Sequence, residues 1–372
     1  MKIFVTGTRG IPHIPGGVEK HCQELYPLVC RFGHKVVIAV RSHYVQYERT
    51  QWQSVQLCPL FAPHDKYLEA IVHTFLAVIK ARKMKADIIH IHGVGPSLMA
   101  PFAKMLGLRV VITNHGPDYE RSKWGNIAKA MLRLGEYLGC KFSDEVIAIS
   151  SDIAERVKRH CSNKRKVHLI YNGTRITEKN TNTDTLKRFA IHPGKYLLAV
   201  ARFVPEKGLH DLVEAFKKIK CDNQLVIVGD ADHETEYNRK LKQQAGKDKR
   251  IVMTGYTGGE DLVQLYSHAK LFILPSYHEG LPLVLLEAMS FNLPVIVSDI
   301  SAHREIGLNP ERYVRCGAVT VLQQKIEQFI DTGLLPEERR QYRHKLEEKY
   351  NWLKIAAQTV SLYENLYQRS SP

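Results

Sequence analysis

Short apolar runs alternate with helix-like segments along the whole chain. The runs are nearly continuous, which is typical of parallel strands buried on both faces, and the segments between them repeat apolar residues every three to four positions. The runs predict strands at 2–6, 35–40, 86–91, 109–113, 145–149, 167–170, 196–200, 224–228, 251–254, 271–275 and 294–297. This alternation predicts an α/β protein with doubly wound parallel sheets.

A polar stretch interrupts the alternation near the middle of the chain. Residues 174–183 are mostly polar, and the apolar runs resume only after residue 194. The pattern predicts two Rossmann-like domains at 1–173 and 195–349, a linker at 174–194 and a final helix within 350–372. Doubly wound sheets bind ligands beyond the carboxyl ends of their strands, so candidate chemistry is expected in the loops that follow strands.

The composition is that of a soluble globular protein long enough for two domains. Of 372 residues, 44% are hydrophobic and 24% are charged, and no apolar run approaches the roughly 20 residues of a membrane-spanning helix. The first residues turn polar too early for a signal peptide. Seven cysteines are scattered without a CxxC pair, which indicates reduced thiols and a cytoplasmic location.

A formal net charge of +15 predicts an anionic partner. Basic residues concentrate in two helix-like segments, 73–85 and 121–141, where they are interleaved with apolar residues. Basic amphipathic helices bind anionic lipid, whereas no nucleic-acid-binding motif is recognisable in this sequence. The pattern favours peripheral attachment to the cytoplasmic face of an inner membrane and no nucleic acid, with a plain basic surface as the alternative.

The first predicted strand is followed by a glycine-rich loop, which favours a phosphate ligand. Gly7 and Gly10 fit the dinucleotide pattern TGxxGxxG, but His13 replaces its third glycine. The second strand is followed by Arg41, where NAD enzymes carry an acid for the ribose. A YxxxK sequence at 119–123 also occurs in short-chain dehydrogenases. An NAD-dependent nucleotide-sugar-modifying enzyme is therefore kept as an alternative.

A second candidate site follows the strand predicted at 271–275. Two glutamates, Glu279 and Glu287, flank a helix start that is marked by Gly280 and Pro282. A helix that begins near Leu281 would direct its first amides at a diphosphate, and Glu287, farther along, could accept ribose hydroxyls. Those amides belong to Leu281, Leu283 and Val284. Taken alone, the glutamates could equally be capping or surface residues.

A third motif follows the strand predicted at 196–200. Arg202 and Lys207 lie in one short loop, where two fixed cations can bind a diphosphate. Gly208 then allows a close backbone approach before the next helix. An isolated basic pair would be unremarkable, but this one lies at the same predicted sheet edge as Glu279.

Together these segments resemble the retaining glycosyltransferases of family 4, which have the GT-B fold of two Rossmann-like domains facing across a cleft. The family pattern GRxxxEKG appears at 201–208 with Ala201 in place of glycine, and EGxPxxxxEA is intact at 279–288. The opening TRGIP…GGVE and residues 114–125 look like a subgroup that builds bacterial surface polysaccharide and lipopolysaccharide. The resemblance covers nearly the whole chain.

The resemblance implies a hexosyltransferase that moves a sugar from a nucleotide-sugar to a hydroxyl of a glycan or lipid-linked acceptor. A uridine nucleotide is expected on subgroup grounds. Retention would come from front-face attack, in which the departing phosphate oxygen takes the proton of the acceptor. Neither a cofactor nor a metal is implied, and the C-terminal helix is expected to cross back to the first domain.

The resemblance also assigns roles to individual residues. It implies catalytic roles for Glu279, His115, Arg202 and Lys207. It implies donor binding by Gly16, Gly17, Arg202, Lys207, Glu279, Gly280, Leu281, Pro282, Leu283 and Glu287. It places on the acceptor side Arg9, Gly10, Asp118, Tyr119, Lys123 and Trp124.

Two sequence patterns resemble metal-binding sites, and three other functions remain as alternatives. The DxD sequence at 230–232 resembles a manganese signature, and His90 and His92 share one strand face, but no third ligand is evident near either histidine. We therefore expect no metal. The rivals are the NAD-dependent enzyme, a GT-B epimerase or sugar phosphorylase, and a basic binding protein without catalysis.

Overall fold

The computed structural model describes residues 1–45, 50–65, 68–120, 124–161, 163–231 and 234–369. The chain divides into two compact units. Unit 1 consists of Met1–Gly173 together with Asn351–Pro372, and unit 2 is Thr174–Tyr350. Each unit is built around its own parallel sheet.

Unit 1 alternates strands and helices through its first 173 residues. Its strands are β1 (Lys2–Thr6), β2 (Lys35–Arg41), β3 (Gln51–Trp52), β4 (Val55–Leu60), β5 (Ile88–His92), β6 (Arg109–Asn114), β7 (Glu145–Ala148) and β8 (Val167–Leu169). Its helices in this part are α1 (Gly17–Arg31), α2 (Glu69–Lys83), α3 (Ala100–Met105), α4 (Asn126–Phe142) and α5 (Ser151–His160).

The eight strands of unit 1 form one sheet in the order β3-β4-β2-β1-β5-β6-β7-β8. All neighbouring pairs are parallel except β3 with β4. Phe4 lies beside Val37 on one flank and Ile89 on the other, so β1 is central. The strand order reverses between β1 and β5, and this reversal defines the switch point of unit 1.

Unit 2 has six strands and eight helices among its described residues. Its strands are β9 (Tyr196–Val200), β10 (Gln224–Val228), β11 (Ile251–Gly255), β12 (Leu271–Leu274), β13 (Val295–Ser298) and β14 (Tyr313–Val314). Its helices are α6 (Asp184–Arg188), α7 (Leu209–Lys218), α8 (Glu236–Ala245), α9 (Gly259–His268), α10 (Leu283–Ser290), α11 (Ser301–Arg304), α12 (Val319–Phe329) and α13 (Pro336–Glu348).

The sheet of unit 2 has the order β11-β10-β9-β12-β13-β14, and all its pairs are parallel. Counted within the unit, this is the 3-2-1-4-5-6 order of the Rossmann fold. The order reverses between β9 and β12, which defines the switch point of unit 2. Both sheets therefore confirm the predicted doubly wound α/β class.

The segment expected to be a linker is an ordered part of unit 2. Its backbone and side chains bond to α9: Thr185 N donates to Gln264 Oε1 at 2.9 Å, and Thr185 Oγ1 donates to Asp261 Oδ1 at 2.6 Å. Asn180 N donates to Ser267 Oγ at 2.9 Å. Residues 174–194, predicted to be a linker, therefore belong to unit 2 and contact α9 through Asn180 and Thr185.

The last helix of the chain, α14 (Trp352–Arg369), lies in unit 1 and packs against α1. Asn351 starts it, because its Oδ1 accepts the backbone N–H of Leu353 at 2.8 Å. Farther along, the Tyr363 hydroxyl is 2.5 Å from Nδ1 of His90. The chain thus completes its first unit with its last helix.

The apolar runs that predicted strands supply the cores. Phe4, Val37 and Ile89 are buried in unit 1 between the sheet and helices α2 and α3. Leu197, Leu225 and related residues are buried in unit 2 against α7 and α12. Among the described residues, no helix combines the length and apolar composition that crossing a bilayer requires.

Candidate functional site

In unit 2, the two loops that flank the switch point contact each other. The loop after β9 passes against the loop after β12, and Tyr277 N donates to the Glu206 carbonyl at 2.9 Å. Gly208 has φ of +63°, and a Cβ there would lie 2.2 Å from the Pro275 carbonyl oxygen. Only glycine permits this approach, so the loop sequence sets the geometry of the site.

An ion pair joins these two loops. Lys207 Nζ lies 2.6 Å from Glu279 Oε1, and Ser276 Oγ donates to the same oxygen at 2.8 Å. The two charged side chains are only 16% and 9% exposed. Burial alone would raise the pKa of Glu279, but the charge of Lys207 and the hydrogen bonds from Lys207 and Ser276 outweigh it and lower that pKa. Glu279 is therefore held as a carboxylate at neutral pH.

His303 is a member of this site that the sequence analysis missed. Its Nδ1 donates to the Ser298 carbonyl at 2.7 Å, while its buried Nε2 has no hydrogen-bond partner among the described residues. Burial lowers the pKa of His303 to about 4, against an opposing contribution from Glu279. It is thus a neutral acceptor next to the carboxylate. A lone histidine in a short helix after β13 carries no sequence signal for such a role.

Helix α10 begins later than the sequence predicted. Its first residue is Leu283, and Pro282 occupies the N-cap position with extended backbone angles. The buried Leu281 therefore precedes the helix, and the first-turn amides are those of Leu283 and Val284. Glu287 lies one turn farther along, where the Tyr266 hydroxyl donates to its Oε2 at 3.2 Å.

The remaining predicted donor residues of unit 2 lie in the same two loops. Arg202 is half-buried in the loop after β9, and its carbonyl accepts the Val204 N–H at 2.9 Å. Gly280 is half-buried in the loop after β12. Residues far apart in sequence thus meet at one edge of the sheet, as expected for carboxyl ends of adjacent parallel strands.

In unit 1, the glycine-rich loop ends at the start of α1. Gly16 is the N-cap with φ of +141°, and a Cβ there would lie 2.0 Å from Glu19 Oε2. Arg9 Nε pairs with Glu19 Oε1 at 3.2 Å, and the Arg9 guanidinium also donates to the Pro15 carbonyl. Gly17 opens the helix. The structure thus places Gly16 and Gly17 at a helix N-terminus, with Arg9 bridging the loop.

Two further glycines shape the same loop. Gly7 has φ of +93°, and a Cβ there would lie 2.1 Å from the carbonyl oxygen of His92, at the end of β5. Gly10 has φ of +148°, and its N–H donates to Thr8 Oγ1 at 3.2 Å. Arg41, which stands where NAD enzymes carry an acid for the ribose, pairs with Glu69 at 2.9 Å.

The loop after β6 is anchored on α4 through one carboxylate. Asn114 Nδ2 donates to Glu136 Oε1 at 2.7 Å, and the Tyr119 hydroxyl donates to Glu136 Oε2 at 2.8 Å. Tyr119 is buried, which raises the pKa of its hydroxyl to about 12. The nearby Asp118 and Trp124 are half-buried. Lys123, the remaining residue predicted for the acceptor side of this loop, lies outside the described residues.

His115 follows β6 and lies among buried histidines. Its Nε2 is 2.9 Å from Nδ1 of His92, at the end of β5. His21 of α1 joins them, with ring centroids 5.3 Å from His92 and 5.0 Å from His115. The expectation that His92 has no third metal-ligand candidate nearby is therefore wrong. The sequence missed this cluster because its members come from three separate elements.

The DxD pattern is only partly within the described residues. Asp230 Oδ1 lies 2.8 Å from Lys242 Nζ and accepts the Ala231 N–H at 2.8 Å. Asp232 lies outside the described residues. The one aspartate that is described is thus bound to a lysine and to its own loop.

Comparison with known proteins assigns this architecture to a family. The family described as Glycosyltransferase Family 4 matches residues 15–178, and the family described as Glycosyl transferases group 1 matches residues 183–349. An uncharacterized glycosyltransferase of Methanocaldococcus jannaschii, MJ1607, is 29% identical, and the match covers 98% of each chain.

Two further proteins with stated ligands or substrates are similar to this chain. The UDP-Gal:alpha-D-GlcNAc-diphosphoundecaprenol alpha-1,3-galactosyltransferase of Escherichia coli is 27% identical over 60% of each chain. The structure of HepE from Anabaena in complex with UDP-glucose superposes with a TM-score of 0.79 at 18% identity, over 99% of each chain.

The two doubly wound units and the likeness to solved glycosyltransferases such as HepE show the GT-B fold. The two family matches together span most of the chain. The chain belongs to the family-4 glycosyltransferases, as its motifs indicated. The glycine-rich loop of unit 1 can therefore be explained without a dinucleotide ligand.

Proposed function

We propose that the protein transfers a hexose from a UDP-sugar to a hydroxyl of a glycan or lipid-linked acceptor, with retention of configuration, in surface polysaccharide or lipopolysaccharide biosynthesis. The observation that carries this proposal is the buried Lys207–Glu279 pair at the switch point of unit 2. It combines a fixed cation for a diphosphate with a carboxylate for sugar hydroxyls. The name of the E. coli relative and the UDP-glucose bound to HepE support the donor class.

The leaving group explains why cations are needed. When the anomeric bond breaks, negative charge develops on the β-phosphate and the sugar becomes oxocarbenium-like. Lys207, Arg202 and the first amides of α10 would stabilise that charge. By analogy with an oxyanion donor, each preorganised contact contributes roughly 2.7–4 kcal/mol to the transition state.

The two carboxylate oxygens of Glu279 would have different roles. Oε1 is held by Lys207 and Ser276, which fixes the orientation of the carboxylate. We expect Oε2 to accept the hydroxyls of the donor sugar. Glu287, already oriented by the Tyr266 hydroxyl, would accept the ribose hydroxyls.

Unit 1 would supply the remaining contacts. The amides of Gly16 and Gly17 would bind the diphosphate or sugar, and His115 would lie beside the sugar. Arg9, Gly10, Asp118, Tyr119, Lys123 and Trp124 would serve the acceptor side. Because Tyr119 is buried against Glu136, its contribution there would be to position the loop.

Transfer is proposed to be independent of metal, since fixed cations fill the role that a divalent ion plays elsewhere. Front-face attack would pass the proton of the acceptor hydroxyl to the departing phosphate oxygen, so that the new bond keeps the configuration of the old one. Undiminished turnover in EDTA and an α-linked product from an α-linked donor, read by proton NMR, would support both statements.

The acceptor is proposed to be presented at the cytoplasmic face of the inner membrane. Helix α4 exposes a stripe of large apolar residues, Ile127, Met131 and Leu134, beside the basic Arg133 and Lys141. Most of the other basic segment, 73–85, lies in α2, where Phe75 is exposed and the last turn is basic. Such surfaces bind anionic lipid headgroups through both charge and apolar burial.

A thermal-shift screen against UDP, GDP, ADP, CDP and NAD tests the donor. A ligand that binds only the folded protein raises Tm by mass action, so UDP should give the largest shift. A transfer assay with UDP-hexoses and an undecaprenyl-diphosphate sugar then tests the reaction. Stabilisation by NAD without any response to nucleoside diphosphates would overturn the proposal.

A further inference from the structure

Three histidine side chains converge in unit 1. His21, His92 and His115 each present one ring nitrogen, and these atoms all lie within 4.8 Å of one another. His21 and His92 are buried, and His115 is half-buried. We call these residues the three-histidine cluster. No carboxylate belongs to it.

The first ligand candidate is held in the tautomer that a metal requires. His21 Nδ1 lies 2.8 Å from Asn172 Oδ1, an acceptor, so Nδ1 carries the proton. Its Nε2 then bears a lone pair, and this atom is buried without a hydrogen-bond partner among the described residues. Leaving a buried acceptor unpaired destabilises the fold, and a bound ion would offset that cost.

The second candidate has a comparable oxygen partner. His92 Nε2 lies 2.5 Å from the Tyr26 hydroxyl, which is itself 3.0 Å from His90 Nδ1. If His92 Nε2–H donates to Tyr26, Tyr26 can donate to His90, and His90 Nε2–H can donate to Thr113 Oγ1 at 2.6 Å. This arrangement leaves Nδ1 of His92 as a lone pair that faces His115. Metal-ligating histidines characteristically have such an oxygen partner on the other ring nitrogen.

We propose that the three-histidine cluster is a binding site for a divalent transition ion of the Zn²⁺ class. Three imidazoles without a carboxylate suit Zn²⁺, Co²⁺, Ni²⁺ or Cu²⁺ and are poor ligands for Mg²⁺ or Ca²⁺. Three imidazoles would leave the fourth tetrahedral position to water or another small ligand, as in three-histidine zinc sites.

The spacing of the cluster is close to what a bound ion requires. The 2.9 Å contact between His92 and His115 would open slightly, since tetrahedral ligands about 2.0 Å from Zn²⁺ lie roughly 3.3 Å apart.

The site has a consequence for transfer that goes beyond the proposed function. His115 is proposed to contact the donor sugar, and a bound ion would withhold its Nε2 from that contact. Zn²⁺ should then inhibit an enzyme that needs no metal, and EDTA should restore its activity. The binding itself is measured without a donor, so it stands or fails independently of the proposed reaction.

The test is titration of the metal-free full-length protein with Zn²⁺ by calorimetry, together with Co²⁺ absorption spectra. We expect one tight equivalent and the intense visible bands of tetrahedral cobalt. His21→Ala should remove both, and Asn172→Ala should weaken binding about 10–100-fold by freeing the His21 tautomer. If His21→Ala does not fold, the weakened Zn²⁺ affinity of Asn172→Ala serves as the test.

An exposed histidine pair provides the matched control. His43 and His64 have ring centroids 4.5 Å apart, and His43 Nε2 lies 3.0 Å from Glu69. The double variant His43→Ala/His64→Ala removes this competing surface site and should keep the tight equivalent. Absence of a tight equivalent, its persistence at wild-type affinity in His21→Ala, or its loss in the His43/His64 control would each overturn the proposal.

Discussion

The two units place their candidate ligand-binding groups at equivalent positions of their sheets, but the side chains at those positions differ in chemistry. In both, the loop after the central first strand packs a glycine against the end of the strand across the switch point: Gly7 against His92, and Gly208 against Pro275. Unit 1 then fills this edge with neutral imidazoles and hydroxyls, whereas unit 2 fills it with the Lys207–Glu279 ion pair. The fold thus fixes where a ligand binds, and the side chains decide which chemistry is available.

The largest expected effect concerns the ion pair of unit 2. Lys207→Ala and Glu279→Ala should each lower kcat at least about 100-fold in the transfer assay, because a preorganised charge contact is lost from the transition state. Lys218→Ala is the matched control, since Lys218 pairs with Glu214 on the exposed surface. Far-UV circular dichroism checks that the variants fold. Wild-type turnover in either site variant would remove the ion pair from the mechanism.

The next effect tests the glycine contacts that the units share. Gly208→Ala should lower the free energy of unfolding by several kcal/mol, because its Cβ would lie 2.2 Å from the Pro275 carbonyl oxygen. Gly194→Ala has a similar φ of +69° but meets nothing within 4 Å, so it should cost only about 1–2 kcal/mol.

The same comparison applies in unit 1. Gly7→Ala would place a Cβ 2.1 Å from the His92 carbonyl oxygen, whereas Gly107→Ala, at φ of +73°, meets nothing within 4 Å. Urea denaturation measures the difference in free energy of unfolding within each pair. The pairs are Gly208→Ala with Gly194→Ala, and Gly7→Ala with Gly107→Ala. Equal costs within each pair would show that backbone conformation, and not close approach, selects these glycines.

Lowering the pH should reduce the stability of the two units to different extents, and this effect is smaller than those above. Burial lowers the pKa of five histidines in unit 1 and one in unit 2. The lowered pKa is about 4 for His21, His73 and His303 and about 3 for His90. The unfolded chain binds protons near pH 6.5 and the folded chain does not, so stability falls as pH drops from about 6.5 to 4. Each such histidine contributes at most about 2 kcal/mol of loss at pH 5.

Tryptophan fluorescence can follow the unfolding of unit 1 separately. All three tryptophans, Trp52, Trp124 and Trp352, belong to unit 1. Between pH 7.5 and 5, the urea midpoint read by fluorescence should fall more than the midpoint of any transition seen only by circular dichroism. Equal shifts would mean that buried histidines do not set the acid stability of unit 1.

The smallest effect concerns the membrane. Replacing Arg133 and Lys141 by Gln should weaken binding to anionic vesicles by about 1 kcal/mol each. Lys240 on α8, which pairs with Glu236 on the surface, gives the control Lys240→Gln. Co-sedimentation at low and high salt measures both. If the α4 and α8 variants lose binding alike, attraction is due to net charge and not to the surface of α4.

The sequence predicted the sheets well because buried parallel strands are continuous apolar runs. β1, β9 and β10 have the predicted bounds, and most other predicted strands differ by one or two residues at an end. β3, β4 and β14 were missed, since two of them have only two residues and β4 mixes polar with apolar positions at the sheet edge.

The sequence indicated in which loops the candidate site residues lie, but not which of them contact each other. Motifs identified Lys207 and Glu279 separately, and only the folded chain shows that they pair. His303 and His21 carried no signal, because a single histidine on a helix is usually a packing residue. Their roles arise from neighbours contributed by other elements, and sequence spacing does not encode such meetings.

Helix α14 has a consequence for how the molecule is made. Unit 2 is one uninterrupted stretch of chain, whereas unit 1 is completed by residues after 350. On the ribosome, the middle of the polypeptide can therefore finish folding before the N-terminal part does. Tyr363, the partner of His90, emerges after the whole of unit 2, so a chain truncated before α14 would retain a complete unit 2 and an unfinished unit 1.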